Sequence, residues 1–236
     1  MSKIYTSADQ LIGKTPLLEL SHIEKNEKPN DWISVNGNTA ETPFYRVEFA
    51  PDGSIVSLVD KELCREWVKG DFNKLKIYHD TPGNYDAWDI LPNYKDKQAE
   101  VITVKPLEFI GADGECAQFS VTLATGKSIW KMIIRLFSSS RGIEVENIVD
   151  WNEKHKLAKA EFGCNVLTRK LLCDTSAGII ERETHRNTSW QQARFECCHH
   201  KWCDLSETGG GIAIINEGKY GAGFEKNTIS LSLLRA

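Results

Sequence analysis

Ser128-Ile129-Trp130-Lys131-Met132-Ile133-Ile134-Arg135-Leu136-Phe137 is the stretch that decides the fold class. Trp130, Met132, Ile134 and Leu136 fall on one side of an extended chain, with Lys131 and Arg135 opposite. Successive side chains of a strand point to opposite faces, so this spacing predicts a half-buried strand with no helical stripe. The next run repeats the pattern: Ile143, Val145, Val149 and Trp151 oppose Glu144, Glu146 and Asp150. Upstream, Phe44-Tyr45-Arg46-Val47-Glu48-Phe49 alternates, Asp52-Gly53 supplies a turn, and Ile55-Val56-Ser57-Leu58-Val59 resumes, a hairpin signal because glycine tolerates positive φ. Further strand-like runs cover 74–78, 101–109, 116–123, 166–172, 178–184, 193–202, 211–216 and 228–234. Many short strands with turn punctuation, and no long helical period, predict an all-β chain folded as a large antiparallel β-sandwich.

The amino-terminal end reads differently. Ser7-Ala8-Asp9-Gln10-Leu11-Ile12 suits a helix, Gly13-Lys14-Thr15-Pro16 breaks it, Leu17-Leu18-Glu19-Leu20 is strand-like, and a charged run with Asn and Pro follows from His22 to Asn30. The expected organisation is a distinct segment over 1–28, a linker over 29–41 and the β domain over 42–236.

Bulk properties narrow the function. A chain of 236 residues buries one sizeable core, and a net charge of −4 with pI near 5.9 gives no footprint for nucleic acid or an anionic membrane. Seven cysteines are an odd number in a chain too large to need stapling, which points to reduced thiols. The first ten residues hold no apolar h-region and the chain no run of eighteen apolar residues, so the expectation is a soluble, cytoplasmic protein.

Two loops concentrate groups suited to sugars, whose apolar faces stack on Trp while hydroxyls bond to Asp, Asn, Arg and His. They are Asp80-Thr81-Pro82-Gly83-Asn84-Tyr85-Asp86-Ala87-Trp88-Asp89 and Arg182-Glu183-Thr184-His185-Arg186-Asn187-Thr188-Ser189-Trp190. A Trp beside an Asp, as at Trp88-Asp89, also suits a core anchor. Glycosidase chemistry needs two carboxylates across a sugar; Asp80, Asp86, Asp89, Glu153, Glu183 and Glu196 qualify by type alone. Cys197, Cys198, His199, His200 and Cys203 are all metal-ligand types, but alternate strand residues diverge and no CxxC pair is present, so they read as small buried side chains and not as a zinc site.

The order of these segments carries a resemblance. Asp80-x-Pro82 with Tyr85-Asp86-Ala87-Trp88-Asp89, Asp150-Trp151-x-Glu153-x-His155, Arg182-x-Thr184-His185-x-Asn187-Thr188-x-Trp190, His200-Lys201-Trp202-x-Asp204-Leu205-Ser206-Glu207 and Leu231-Ser232-Leu233-Leu234-Arg235 are collinear over about 38–236. Together they resemble the carboxy-terminal region of family 38 α-mannosidases. The resemblance implies a galactose-mutarotase-like super-sandwich and retaining hydrolysis of α-mannosides. It also implies that the Asp nucleophile, the acid catalyst and a divalent metal, usually zinc, sit in an amino-terminal α/β domain outside this sequence. On that footing the chain holds no catalytic or metal residue and no cofactor, is inactive alone, and has as partners an α-mannoside and that catalytic domain. Loops of the β region border the cleft in the family, which places Arg182, His185, Asn187, Asp86 and Trp88 nearest the sugar and makes Trp202 and Asp204 structural. Family members continue beyond Ala236, so the last sheet is expected to be incomplete.

Residues 1–28 instead resemble the start of a cysteine synthase, without the segment bearing that family's Schiff-base lysine; Lys14 does not match it, so no pyridoxal phosphate is expected. A stand-alone carbohydrate-recognition domain, a structural β domain without ligand and a cysteine-synthase fragment are the competing readings.

Overall fold

The alternating stretch Ser128–Phe137 forms a strand with the bounds its pattern predicts. In the computed structural model, which describes residues 33–236 apart from Pro82, Ala87 and Gly114, its inward side chains Trp130, Met132, Ile134 and Leu136 are all buried. Burying each contributes about 1.5–3 kcal/mol before entropic costs. The chain divides into two units, Met1–Asn30 and Asp31–Ala236. The segment 1–28, with its cysteine-synthase resemblance, lies outside the described residues.

In chain order the strands begin with β1 (Ser34–Asn36), β2 (Thr39–Glu41), β3 (Tyr45–Phe49), β4 (Ile55–Asp60), β5 (Arg65–Glu66), β6 (Val68–His79) and β7 (Gln98–Ala99). They continue with β8 (Ile102–Ala112), β9 (Cys116–Thr125), β10 (Ser128–Phe137), β11 (Ile143–Asp150), β12 (Lys156–Cys164), β13 (Lys170–Thr175) and β14 (Gly178–Glu183). A short helix α1 (Ser189–Ala193) precedes β15 (Glu196–Cys198), β16 (Trp202–Glu207), β17 (Gly210–Ile215), β18 (Gly221–Glu225) and β19 (Thr228–Arg235).

All described pairings are antiparallel, and they form four sheets, ordered β1-β2-β3-β4-β5, β11-β10-β9-β8, β15-β18-β19-β12-β6-β7 and β14-β13-β16-β17. The all-β, antiparallel expectation therefore holds, with the strands divided among four sheets. One face of the six-stranded sheet, carrying Phe72, Ala160, Phe162 and Leu231, shares a core with Phe49 and Leu58, with Phe119 and Ile134, and with Leu171 and Leu205. All four sheets thus contribute buried residues to one shared core. A second core joins Leu75, Ile77 and Ala158 to Val121, Leu123 and Trp130. The opposite face of the large sheet is covered by Ile90, Tyr94 and Phe195 from its connecting loops.

Two expectations fail for local reasons. Residues 34–41, expected within a linker, form β1 and β2, and these pair onward to β3; the sheet begins before the alternating run that announces it. The run 193–202, expected as one strand, instead holds the end of α1, β15 and the first residue of β16. Thr188 caps α1 by accepting from the Gln191 backbone N–H while the Gln191 side chain accepts from the Thr188 backbone, a reciprocal box that favours a helical turn.

The largest omission is β12, central in the six-stranded sheet and buried from Leu157 to Cys164. Its alternation is short and built largely from alanines, and its polar side is buried as well. Its apolar face holds Ala158, Ala160, Phe162 and Cys164, and its other face holds Lys159 and Glu161. Lys159 Nζ donates to both carboxylate oxygens of Glu196 at 2.9 and 2.8 Å, and the Tyr94 hydroxyl donates to the same carboxylate at 2.7 Å. Glu161 accepts from the Tyr78 hydroxyl at 2.7 Å and pairs with Lys76 at 2.8 Å. Each buried charge on this face is thereby compensated.

Candidate functional site

The loop following β6 is fixed at both ends. The backbone N–H of buried Asp80 donates to the His155 carbonyl at 2.7 Å, and its carboxylate accepts from Arg235 Nε, while another guanidinium nitrogen of Arg235 donates to the Asp89 carbonyl. The Tyr85 carbonyl accepts from the N–H groups of Trp88 and Asp89 at 3.1 and 3.2 Å, closing a turn. That anchoring leaves Trp88 86% and Tyr85 67% exposed. Asp86 Oδ2 stands 3.5 Å from His155 Nδ1, with both side chains in solvent. An exposed indole beside a carboxylate and an imidazole offers a flat apolar surface rimmed by hydrogen-bonding groups.

The second loop runs from β14 into α1, and Gln191 organises it. The Gln191 side-chain oxygen accepts from the backbone N–H groups of Asn187 and Thr188 at 2.7 and 3.0 Å. Its nitrogen donates to Glu183 at 2.7 Å and lies 3.2 Å from His185 Nε2. Buried Thr184 locks the loop downward: its hydroxyl donates to the Thr168 carbonyl at 2.9 Å, and its own carbonyl accepts from the Lys226 N–H at 2.8 Å. His185 and Asn187 thereby face a cleft of about 520 Å³ shared with Thr168, Arg169, Lys226 and Asn227.

Arg182 is not with them. It lines a neighbouring cleft of about 330 Å³ with Lys170, Glu183, Gln191 and Arg194, and its Nε is buried without a partner. Neither cleft includes a described residue of the 80–89 loop. The structure therefore brings His185 and Asn187 together, sets Arg182 beside them, and presents Asp86 and Trp88 on a separate loop. Gln191, Arg169 and Lys226 were not legible as site residues; only the spacing Thr188-x-x-Gln191 hints at the role of Gln191.

Several carboxylates that qualified by type are committed to the scaffold. Glu196 serves Lys159 and Tyr94, and Asp80 serves Arg235. Glu153 accepts from the Lys127 backbone N–H at 2.6 Å and pairs with Lys156 at 3.0 Å; these contacts hold its carboxyl below the usual range. Asp174, outside that set, is pushed up by burial, but backbone N–H groups of Trp202, Lys201 and His200 together outweigh that and hold it low. The cysteine- and histidine-rich run diverges as its strand geometry requires. Cys198 is exposed, whereas buried His199 places Nε2 at 2.7 Å from the Asn216 amide nitrogen. Among the described residues no three His, Cys, Asp or Glu side chains stand where one ion would bind, so they do not fit the divalent metal that the resemblance implies, and no step is assigned to it. No described helix is long and apolar enough to cross a membrane.

Comparison with known proteins sets these loops in context. Alpha-mannosidase G of Dictyostelium discoideum is 35% identical over an alignment covering 99% of this chain and 22% of that protein. Alpha-mannosidase 2C1 of Homo sapiens is 32% identical, over 84% of this chain and 19% of the relative. The chain thus spans about a fifth of the length of these curated relatives. The crystal structure of an alpha-mannosidase from Enterococcus faecalis V583 shares the fold with a TM-score of 0.69 at 12% identity, over 87% of this chain and 26% of that one. The model of the glycosyl hydrolases family 38 C-terminal domain matches residues 40–236, from β2 through the end of β19, and the chain belongs to that family.

Proposed function

We propose that this chain is the β-rich carboxy-terminal portion of an α-mannosidase, in which it borders the mannoside cleft while the reacting carboxylates and metal belong to a separate α/β domain. The observation that carries this reading is the family match over residues 40–236 in a chain spanning about a fifth of its mannosidase relatives. In this role Trp88 stacks on an apolar sugar face and Asp86 accepts from its hydroxyls, while His185 and Asn187, with Arg182 in the neighbouring cleft, offer a second polar surface on a separate loop. The galactose-mutarotase-like super-sandwich belongs to the same proposal, supported by antiparallel sheets that share one core. Seven free thiols suit a reducing compartment, which supports a cytoplasmic location.

The test is a fluorogenic α-mannoside assay of the 236-residue chain with added zinc. The expected result is no turnover above buffer; turnover abolished by a substitution within residues 42–236 would overturn the division of labour. A stand-alone carbohydrate-binding domain is favoured by one observation, the preassembled and exposed group Tyr85, Asp86, Trp88 and His155. Calorimetric titration with α-mannobiose separates the two. Binding by the isolated chain that is lost in Trp88→Ala supports the stand-alone reading, and its absence leaves the sugar-bordering role dependent on the catalytic domain.

A further inference from the structure

Cys173 of β13 and Cys197 of β15 belong to different sheets, yet their sulfurs are 3.9 Å apart. Cys173 is fully buried, whereas Cys197 is partly exposed and gives the pair its route to solvent. β15 is a three-residue edge strand paired only to β18, so little backbone holds it in place. The shared hydrogen bond lowers the Cys173 thiol below its ordinary value, and the charge of Arg182 acts in the same direction; that hydrogen bond, with burial, keeps Cys197 protonated. Neighbouring Cys203 lies opposite Cys173 across the β13–β16 ladder and is itself buried, with its thiol pushed up by burial. The exposed thiols Cys64 and Cys198 instead lie 3.7 Å from backbone carbonyl oxygens, of Lys61 and His199 respectively.

We propose that Cys173 and Cys197 form an oxidisable dithiol, a modification site at which a peroxide-class oxidant closes a disulfide between β13 and the edge strand β15. One sulfur attacks a peroxide oxygen as its thiolate; the O–O bond breaks, and the departing hydroxide takes up a proton to leave as water. The sulfenic acid so formed is attacked by the second sulfur, the S–O bond breaks, and a second water leaves. Two thiols lose two electrons in total and one peroxide gains them. Because the cysteines are 24 positions apart, the disulfide encloses β14, Arg182, His185, Asn187 and α1 in a covalent ring. Oxidation would therefore fix the loop assigned to the sugar; this consequence rests on the mannoside reading, whereas the dithiol chemistry does not.

The experiment treats the folded chain carrying C64S and C198S, both at exposed positions, with hydrogen peroxide. Remaining thiols are then alkylated in denaturant, and peptides are mapped by mass spectrometry without reductant. The expected product is a peptide cross-linked between Cys173 and Cys197, 2 Da lighter than its reduced parts, released by dithiothreitol and absent when C197A is added. Full alkylation of Cys173 and Cys197 after oxidation, or a cross-link from Cys197 to Cys203, would overturn the proposal. No sugar enters this readout, so its failure would leave the mannoside reading standing and the converse also holds.

Discussion

Replacing Lys159 by Met tests the charged face of the central strand directly. The lysine is 0% exposed, its ammonium donates to both oxygens of Glu196, and it lies 5.5 Å from the centre of the Tyr94 ring. Met preserves the length of the stem but removes every donor, leaving Glu196 with the Tyr94 hydroxyl alone. Losing one partner of a buried pair costs about 3–5 kcal/mol because the survivor stays charged and uncompensated. The Glu196 side chain retains 17% exposure, so water relieves part of that cost and about 3 kcal/mol is the expected loss. For a domain of this size that lowers Tm by about 6–12 °C. Glu196→Gln should cost a similar amount by stranding the ammonium, whereas the double variant K159M/E196Q removes both charges and should lie within about 1 kcal/mol of the native protein. Urea unfolding followed by tryptophan fluorescence gives the four free energies of the cycle. A loss below about 0.5 kcal/mol for K159M, or a double variant whose loss equals the sum of the singles, would refute the claim that the pair is a compensated buried charge.

Alkaline pH should destabilise the protein. Burial, then Glu196, raises the hydroxyl of Tyr94, and burial, then Glu161, raises that of Tyr78. A raised folded pKa contributes stability that is intact below the unfolded value of 10.0 and is lost as pH climbs above it, so Tm should fall from about pH 10 upward, and Y78F/Y94F should flatten that fall. Lys159, which burial lowers, acts in the opposite sense, so an unchanged profile in Y78F/Y94F would assign the alkaline loss elsewhere. Gly163→Ala places a Cβ 2.3 Å from the Lys69 carbonyl oxygen and 2.8 Å from that of Asp71, both backbone atoms of β6. Since backbone yields little, a loss of about 3 kcal/mol or more is expected in the same urea assay. Thr188→Ala removes the cap of α1 and should cost about 1 kcal/mol, read as faster amide exchange across residues 189–193 with the core strands unaffected.

The strands that were legible are those with one wet face. In β10 and β11 the register sets Trp130 opposite Val149, Met132 opposite Asn147 and Ile134 opposite Val145, and period-two alternation records which face is inward. The hairpin around Gly53 was legible because its φ of +81° suits glycine, and a side chain there would also meet Val121 at 2.7 Å. β12 was not legible, because its lysine and glutamate point into a buried face where partners distant in sequence neutralise them. The site divides the same way. Residue type singled out Trp88 and His185, but the anchoring of one loop by Arg235 and of the other by Gln191 and Lys226 comes from contacts between separated elements.

Sequence by itself determined the antiparallel β class, the collinear family motifs and the net negative charge, since each depends on local order or on composition. Tertiary structure alone decided that the strands form four sheets with one doubly covered, that His185 and Asn187 share a cleft from which Arg182 is set apart, and that two cysteines meet across sheets. The physical reason is that alternation encodes which way a side chain points relative to its own strand, whereas its neighbours across a layer depend on how separate sheets pack.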